Sequence, residues 1–200
     1  MMAATERLNA HPGELQVWAV SSRPPAGSDP GQWAAWLLQL GIRAGQLPDT
    51  GGYYAHLLLR HGAAIWEAGP RGVRGGLAAE YLQPHLCTHV YRVAAREADE
   101  SQIIAWLCGH VGDGYDYPQF ARMACRRLGI ENQVTRLIAL LDSESLGVCS
   151  TLVAFAYLLV GLDLPHLVGA PLWDFAPDHI VHLHRLYPAR VLLRGTLEIP

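Results

Sequence analysis

From Val148 to Leu162 the chain is apolar apart from Ser150 and Thr151. The run is about fifteen residues, short of the ~20 that a helix needs to cross a bilayer. It reads instead as a helix buried within a domain, and such a helix must be covered by other elements. Two hundred residues can supply that cover without disulfide or metal staples. Half of them are hydrophobic and 16% are charged, a balance that excludes a disordered chain.

Charge sets further bounds. The formal net charge is −3, and no run of like charges stands out. Nothing here draws the chain to nucleic acid or to an anionic membrane. The first twenty residues lack a basic start followed by a long apolar stretch, so no signal peptide is expected. The expected location is the cytoplasm, and an origin in a phage or virus-like particle would read the same. Nothing in the sequence sets an oligomeric state. The four cysteines, Cys87, Cys108, Cys125 and Cys149, form no C-x-x-C pair. Free thiols are therefore expected rather than a zinc ribbon or a redox motif.

The pattern along the chain predicts strands over Leu15–Ser22, Tyr53–Arg60, Ala63–Ala68, Thr88–Ala94 and Arg190–Glu198. His61 and Gly62 read as a hairpin turn between the second and third. Helices are expected over Gln32–Leu40, Gly75–Gln83, Glu100–Val111, Pro118–Leu128 and Gly147–Val160. Asp178–Leu186 fits either helix or strand, and Gln133–Leu141 fits neither cleanly. Residues 23–30 and 45–52 read as loops, and the glycine-rich Gly69–Gly76 as a flexible connection. No alternating βαβ rhythm appears, so the expected class is α+β, with one domain over 14–200 and a poorly ordered segment over 1–13.

The chemistry concentrates at the start of the apolar run. Cys149 begins that helix, where unpaired backbone N–H groups and the helix dipole favour an anion. A thiol there ionises more readily than a free one, and the thiolate is the nucleophile. The same helix end can offer an N–H to a developing oxyanion. The competing reading is a small buried core residue, which suits the other three cysteines better. A nucleophilic cysteine needs a base, and His56 lies within the aliphatic stretch Tyr54-Ala55-His56-Leu57-Leu58-Leu59. A buried imidazole there needs partners, and a satisfied structural histidine is the alternative. Glu67, on the next strand of the same hairpin, can face His56, fix its tautomer and stabilise the imidazolium. Otherwise it is a solvated strand end.

These residues carry a resemblance. Ala55-His56-Leu57, then Ile65-Trp66-Glu67-Ala68, then Gly112-Asp113-Gly114-Tyr115-Asp116-Tyr117, then Cys149-Ser150-Thr151-Leu152-Val153 follow in that order. Together they resemble the circularly permuted papain-like amidases, the YiiX-like branch of the NlpC-type cysteine hydrolases. Pro177-Asp178-His179-Ile180 resembles a stretch near the end of such domains. In papain the cysteine precedes the histidine, whereas here His56 precedes Cys149, as a permuted chain implies. The resemblance implies a papain-like fold with a small antiparallel sheet packed on the nucleophile helix. It implies Cys149 as nucleophile, His56 as base and Glu67 as the third polar residue. It places Tyr115 or Tyr117 at the site, with Tyr54 and Ser150 as further candidates to contact substrate. The chain departs from the family at Ala55, where serine is usual, and at Thr151, where glutamate is common. Residues 1–13 have no counterpart.

Rival clusters are weaker. His85, Cys87 and His89 would share one face of an extended segment and could ligate zinc, but no partner cluster matches them, and a polar strand edge is the simpler reading. His179, His182 and His184 read as surface histidines. Arg71 and Arg74, within Gly69–Gly76, could contact an acidic substrate, although the segment lacks the ending of a phosphate loop. The expectation is a cysteine hydrolase without metal or cofactor, acting on a peptide-like or acyl-bearing substrate. An amide bond is favoured; ester, thioester or lipid acyl transfer, or a non-catalytic assembly role, are the alternatives.

Overall fold

The computed structural model describes residues 13–22, 54–69, 71–83, 86–114 and 148–198. The expected helices over Gln32–Leu40 and Pro118–Leu128 lie outside them, as does Gln133–Leu141. The described chain forms strands β1 (Gln16–Ser22), β2 (His56–His61), β3 (Ala64–Gly69), β4 (Gly72–Leu77), β5 (Leu86–Val93) and β6 (Val191–Glu198). Its α-helices are α1 (Glu97–Gly109), α2 (Cys149–Leu158), α3 (Leu164–Leu167) and α4 (His179–Leu186). All six strands join one antiparallel sheet in the order β4-β3-β2-β1-β5-β6. The class is α+β. Among the described residues, no helix is long and apolar enough to cross a membrane.

Alternation along the strands divides the core in two. Val17 and Ala19 of β1, Leu57 and Leu59 of β2, and Trp66 and Ala68 of β3 pack with Leu152, Val153 and Ala156 of α2. Ile103 and Leu107 of α1 and Ile180 and Leu183 of α4 close the same layer. Trp18, Val20, Leu58, Ile65 and Val90 point the other way, toward Ala78 and Tyr81. A fully buried side chain of this size contributes about 1.5–3 kcal/mol. The apolar run is largely buried as far as Tyr157, because α2 lies against β2 and β3, whereas Leu158 and Leu159 are exposed.

Two expectations change. Gly72–Leu77 is a strand, hairpinned to β3 with Gly69 opposite Gly72, not a flexible connection leading into a helix. Only Ala78–Tyr81 turns, as a 3-10 helix. The ladder bonds offered by β3 outweigh the weak strand propensity of glycine. Gly72 also requires its residue type. Its φ is +96°, and a Cβ there would lie 2.2 Å from the Asp113 carbonyl oxygen. That closeness lets the Val73 N–H donate to Asp113 O at 2.7 Å, which pins Gly112–Gly114 to the outer edge of β4. The β2–β3 turn also sits one residue later than expected: His61 pairs with Ala64, leaving Gly62, at φ 60°, and Ala63 as the turn.

Candidate active site

Cys149 is the first residue of α2 and is buried. The first i→i−4 bond of this helix runs from Leu152 N–H to Val148 O at 3.0 Å. The amides of Cys149, Ser150 and Thr151 are therefore free of the helical ladder. Thr151 organises the turn, since its hydroxyl accepts from Val148 N–H at 2.8 Å and donates to Val148 O at 2.9 Å. This is the reach-back half of a capping box, performed by threonine in place of glutamate.

The opposing part of the site comes from the sheet. Ladder pairing between β2 and β3 ends at Leu59–Trp66, and the strands part beyond it. Leu57 lies two residues further along the same edge, so its N–H points to the side that β3 has left. That amide donates to the Cys149 sulfur, as does the amide of Ser150. His56 also hydrogen-bonds the sulfur. Its Nε2 meets Glu67 Oε2 instead, which leaves Nδ1 for the thiol. The base therefore stands between the sulfur and a carboxylate.

Glu67 is 5% exposed at its side chain and His56 21%. The carboxylate also accepts from the Tyr81 hydroxyl and from Arg74 Nε, the latter at 2.6 Å. The electrostatics follow from these contacts. Burial pushes the Cys149 thiol up, but the His56 charge and hydrogen bond, with the two amides, bring it below its ordinary value. Burial works against the His56 charge too. Cys149 and then Glu67 outweigh it, raising the imidazole to about 10. Burial likewise opposes the Glu67 charge, yet His56, Tyr81 and Arg74 hold the carboxyl down at about 2. All three shifts favour a thiolate–imidazolium pair backed by a carboxylate.

The other expected site residues fall elsewhere. The Ser150 side chain is fully buried, and its hydroxyl donates to the Phe175 carbonyl. It ties α2 to the segment before α4, and only its backbone reaches the sulfur. Tyr54 is buried, with its ring edge-on to His89 at 5.1 Å and its hydroxyl bonded to Tyr91. Tyr115 and Tyr117 lie outside the described residues. So does His85; Cys87 Sγ lies 3.8 Å from His89 Nδ1. No group of three or more His, Cys, Asp or Glu that could hold a metal ion occurs among the described residues. The three histidines of α4 do not act as one surface group. His179 is buried and its Nδ1 accepts from Ala176 N–H at 3.0 Å, while His184 Nδ1 donates to Val191 O at 2.7 Å.

Nothing in the local sequence marks Arg74, Glu80 and Tyr81 as site residues, yet all three stand behind His56 and Glu67. From sequence alone Arg74 is a possible contact for an acidic substrate, but it is engaged within the chain, by Glu67 and by Glu80. The signal that could have found it is the hairpin itself, because β3–β4 pairing sets Arg74 opposite Glu67. No family model, curated protein or solved structure compared with this chain matches it.

Proposed function

We propose that this chain is a cysteine hydrolase that cleaves an amide bond, with a papain-like, circularly permuted arrangement of its site. The observation that carries the reading is the hydrogen-bonded series of Cys149, His56 and Glu67, with the sulfur at a helix start. In the proposed reaction the thiolate attacks the carbonyl carbon and forms a C–S bond. The backbone amides at the start of α2 receive the oxyanion. As the C–N bond breaks, the His56 imidazolium gives its proton to the departing amine. Water then attacks the thioester, His56 takes the water proton, and the C–S bond breaks to release the acid. Glu67 keeps one imidazole tautomer and stabilises the imidazolium between these steps.

The substrate would be a peptide, a cell-wall peptide or an acylated small molecule. Thioester or ester substrates would pass through the same acyl intermediate. The test is mass spectrometry of the protein after brief exposure to activated acyl amides and to thioesters of the same acyl group. An acyl adduct on Cys149 with both, followed by release of free acid, supports the reading. Adduct and turnover with thioesters alone would select the acyl-transfer alternative. No adduct with either would point to an assembly role.

A further inference from the structure

Behind His56, the buried carboxylate of Glu67 holds two further donors. We propose that Arg74 and Tyr81 are positioning residues: they keep Glu67 ionised and turned so that Oε2 meets the imidazole. The inference rests on the hydrolase reading above.

A carboxylate has two oxygens, and here they are divided. Oε1 faces Arg74, with Nε at 2.6 Å and the second terminal nitrogen at 2.5 Å. Both nitrogens converge on that one oxygen, a charge-assisted contact that anchors Oε1 on the β4 side. Oε2 is then left to His56 and to the Tyr81 hydroxyl. The Tyr81 ring also lies nearly parallel to the imidazole, at 15° with centroids 6.2 Å apart. Tyr81 therefore touches both partners of the His56–Glu67 bond.

Arg74 is itself held from behind. Its first terminal nitrogen donates to Glu80 Oε2 at 2.8 Å, and Glu80 Oε1 accepts from Leu77 N–H at 2.8 Å. Gly76 leaves room for this, since a Cβ there would stand 2.7 Å from Glu80 Oε1. The charges alternate from Cys149 through His56, Glu67 and Arg74 to Glu80. Around Glu67 stand His56 from β2, Arg74 from β4, and Tyr81 and Glu80 from the 3-10 turn, with Cys149 of α2 beyond His56. A buried carboxylate with fewer donors takes up a proton at higher pH. The imidazolium would lose its counter-charge with it, and the thiolate would follow. Residues that merely brace the hairpin would change stability and leave that titration where it is.

The experiment is the pH profile of Cys149 alkylation by iodoacetamide, a neutral electrophile, in the full chain, with the labelled cysteine assigned by mass spectrometry. Arg74→Met should move the acid limb up by about one pH unit, which is about tenfold slower labelling on that limb. The plateau at higher pH should stay near the parent's. Tyr81→Phe, which keeps the ring, should move the limb less and in the same direction, and Arg74→Lys should lie between Met and parent. Acid limbs that coincide with the parent's in Arg74→Met and Tyr81→Phe, whatever their melting temperatures, would overturn the inference. If Arg74→Met does not fold, Tyr81→Phe and Arg74→Lys decide it by the same criterion. His56→Ala separates the two levels. If it labels like the parent, the hydrolase reading itself fails; if it slows while the other variants do not shift, only the positioning role falls.

Discussion

Cys87 and Cys149 each lie beside a histidine, but the two pairs are built differently. Cys87 and His89 are two residues apart on β5, so strand alternation alone sets them on one face, with 3.8 Å between Sγ and Nδ1. Cys149 and His56 are brought together by tertiary structure, from the start of α2 and the start of β2. The second pair has backbone amides on the sulfur and Glu67 on the far side of the ring. Accessibility runs the other way. Cys149 is buried, Cys87 is half-buried and Cys108 is exposed. A thiol–imidazole contact is easily produced by local geometry; what favours its ionised form is the arrangement of donors and charges around it.

The sharpest way to break this contrast is His56→Ala. Without the imidazolium, the Cys149 thiol should return toward its free value, and alkylation at pH 7 should slow by roughly thirtyfold. Glu67→Gln keeps a hydrogen-bonding side chain and removes the charge. It should slow the same reaction by about fivefold, with melting temperature recorded to separate a folding defect. Equal rates in Glu67→Gln and the parent would leave Glu67 as a purely structural group.

The third prediction concerns stability. The Glu67 carboxyl is lower in the fold, at about 2, than its ordinary 4.5. Its contribution is therefore complete above pH 4.5 and is lost as the pH falls toward 2. Chemical unfolding across that window should show a decline of about 2 kcal/mol that Glu67→Gln lacks. On the alkaline side, His56 is raised to about 10 from an ordinary 6.5, so the ion pair should persist through neutrality and fail as the pH passes about 10. The smallest expected effect is at the other pair. Replacing Cys87 with serine should change Cys149 labelling by less than twofold. A larger change would mean that the two thiols are coupled.

The positions of His56, Glu67 and Cys149 were legible because strong local patterns mark their elements: aliphatic strands around the first two and an apolar run after the third. Asp178–Leu186 read both ways because its apolar positions satisfy either period; packing of Ile180 and Leu183 against the core makes it a helix. The strand Gly72–Leu77 was not legible. Its glycines, Gly72, Gly75 and Gly76, mask the hairpin it forms with β3, and Asp113, which bonds its outer edge, lies far along the sequence. With that strand went Arg74 and its partner Glu80. Ser150 misled for the opposite reason: it adjoins the nucleophile in sequence, but one residue along a helix turns a side chain by about 100°. Its hydroxyl accordingly faces Phe175.

The parting of β2 and β3 has a consequence for how such a site can be inherited. His56 belongs to the even-numbered residues of β2, with Leu58 and Arg60, and Glu67 to the odd-numbered residues of β3, with Ile65. Their meeting depends on parity. Deleting any one residue between His56 and Arg60 would leave composition, hydrophobicity and strand length nearly intact. It would also turn the imidazole to the opposite side of the sheet from its carboxylate. A single codon lost from that stretch would part base from carboxylate although every site residue remained in the chain.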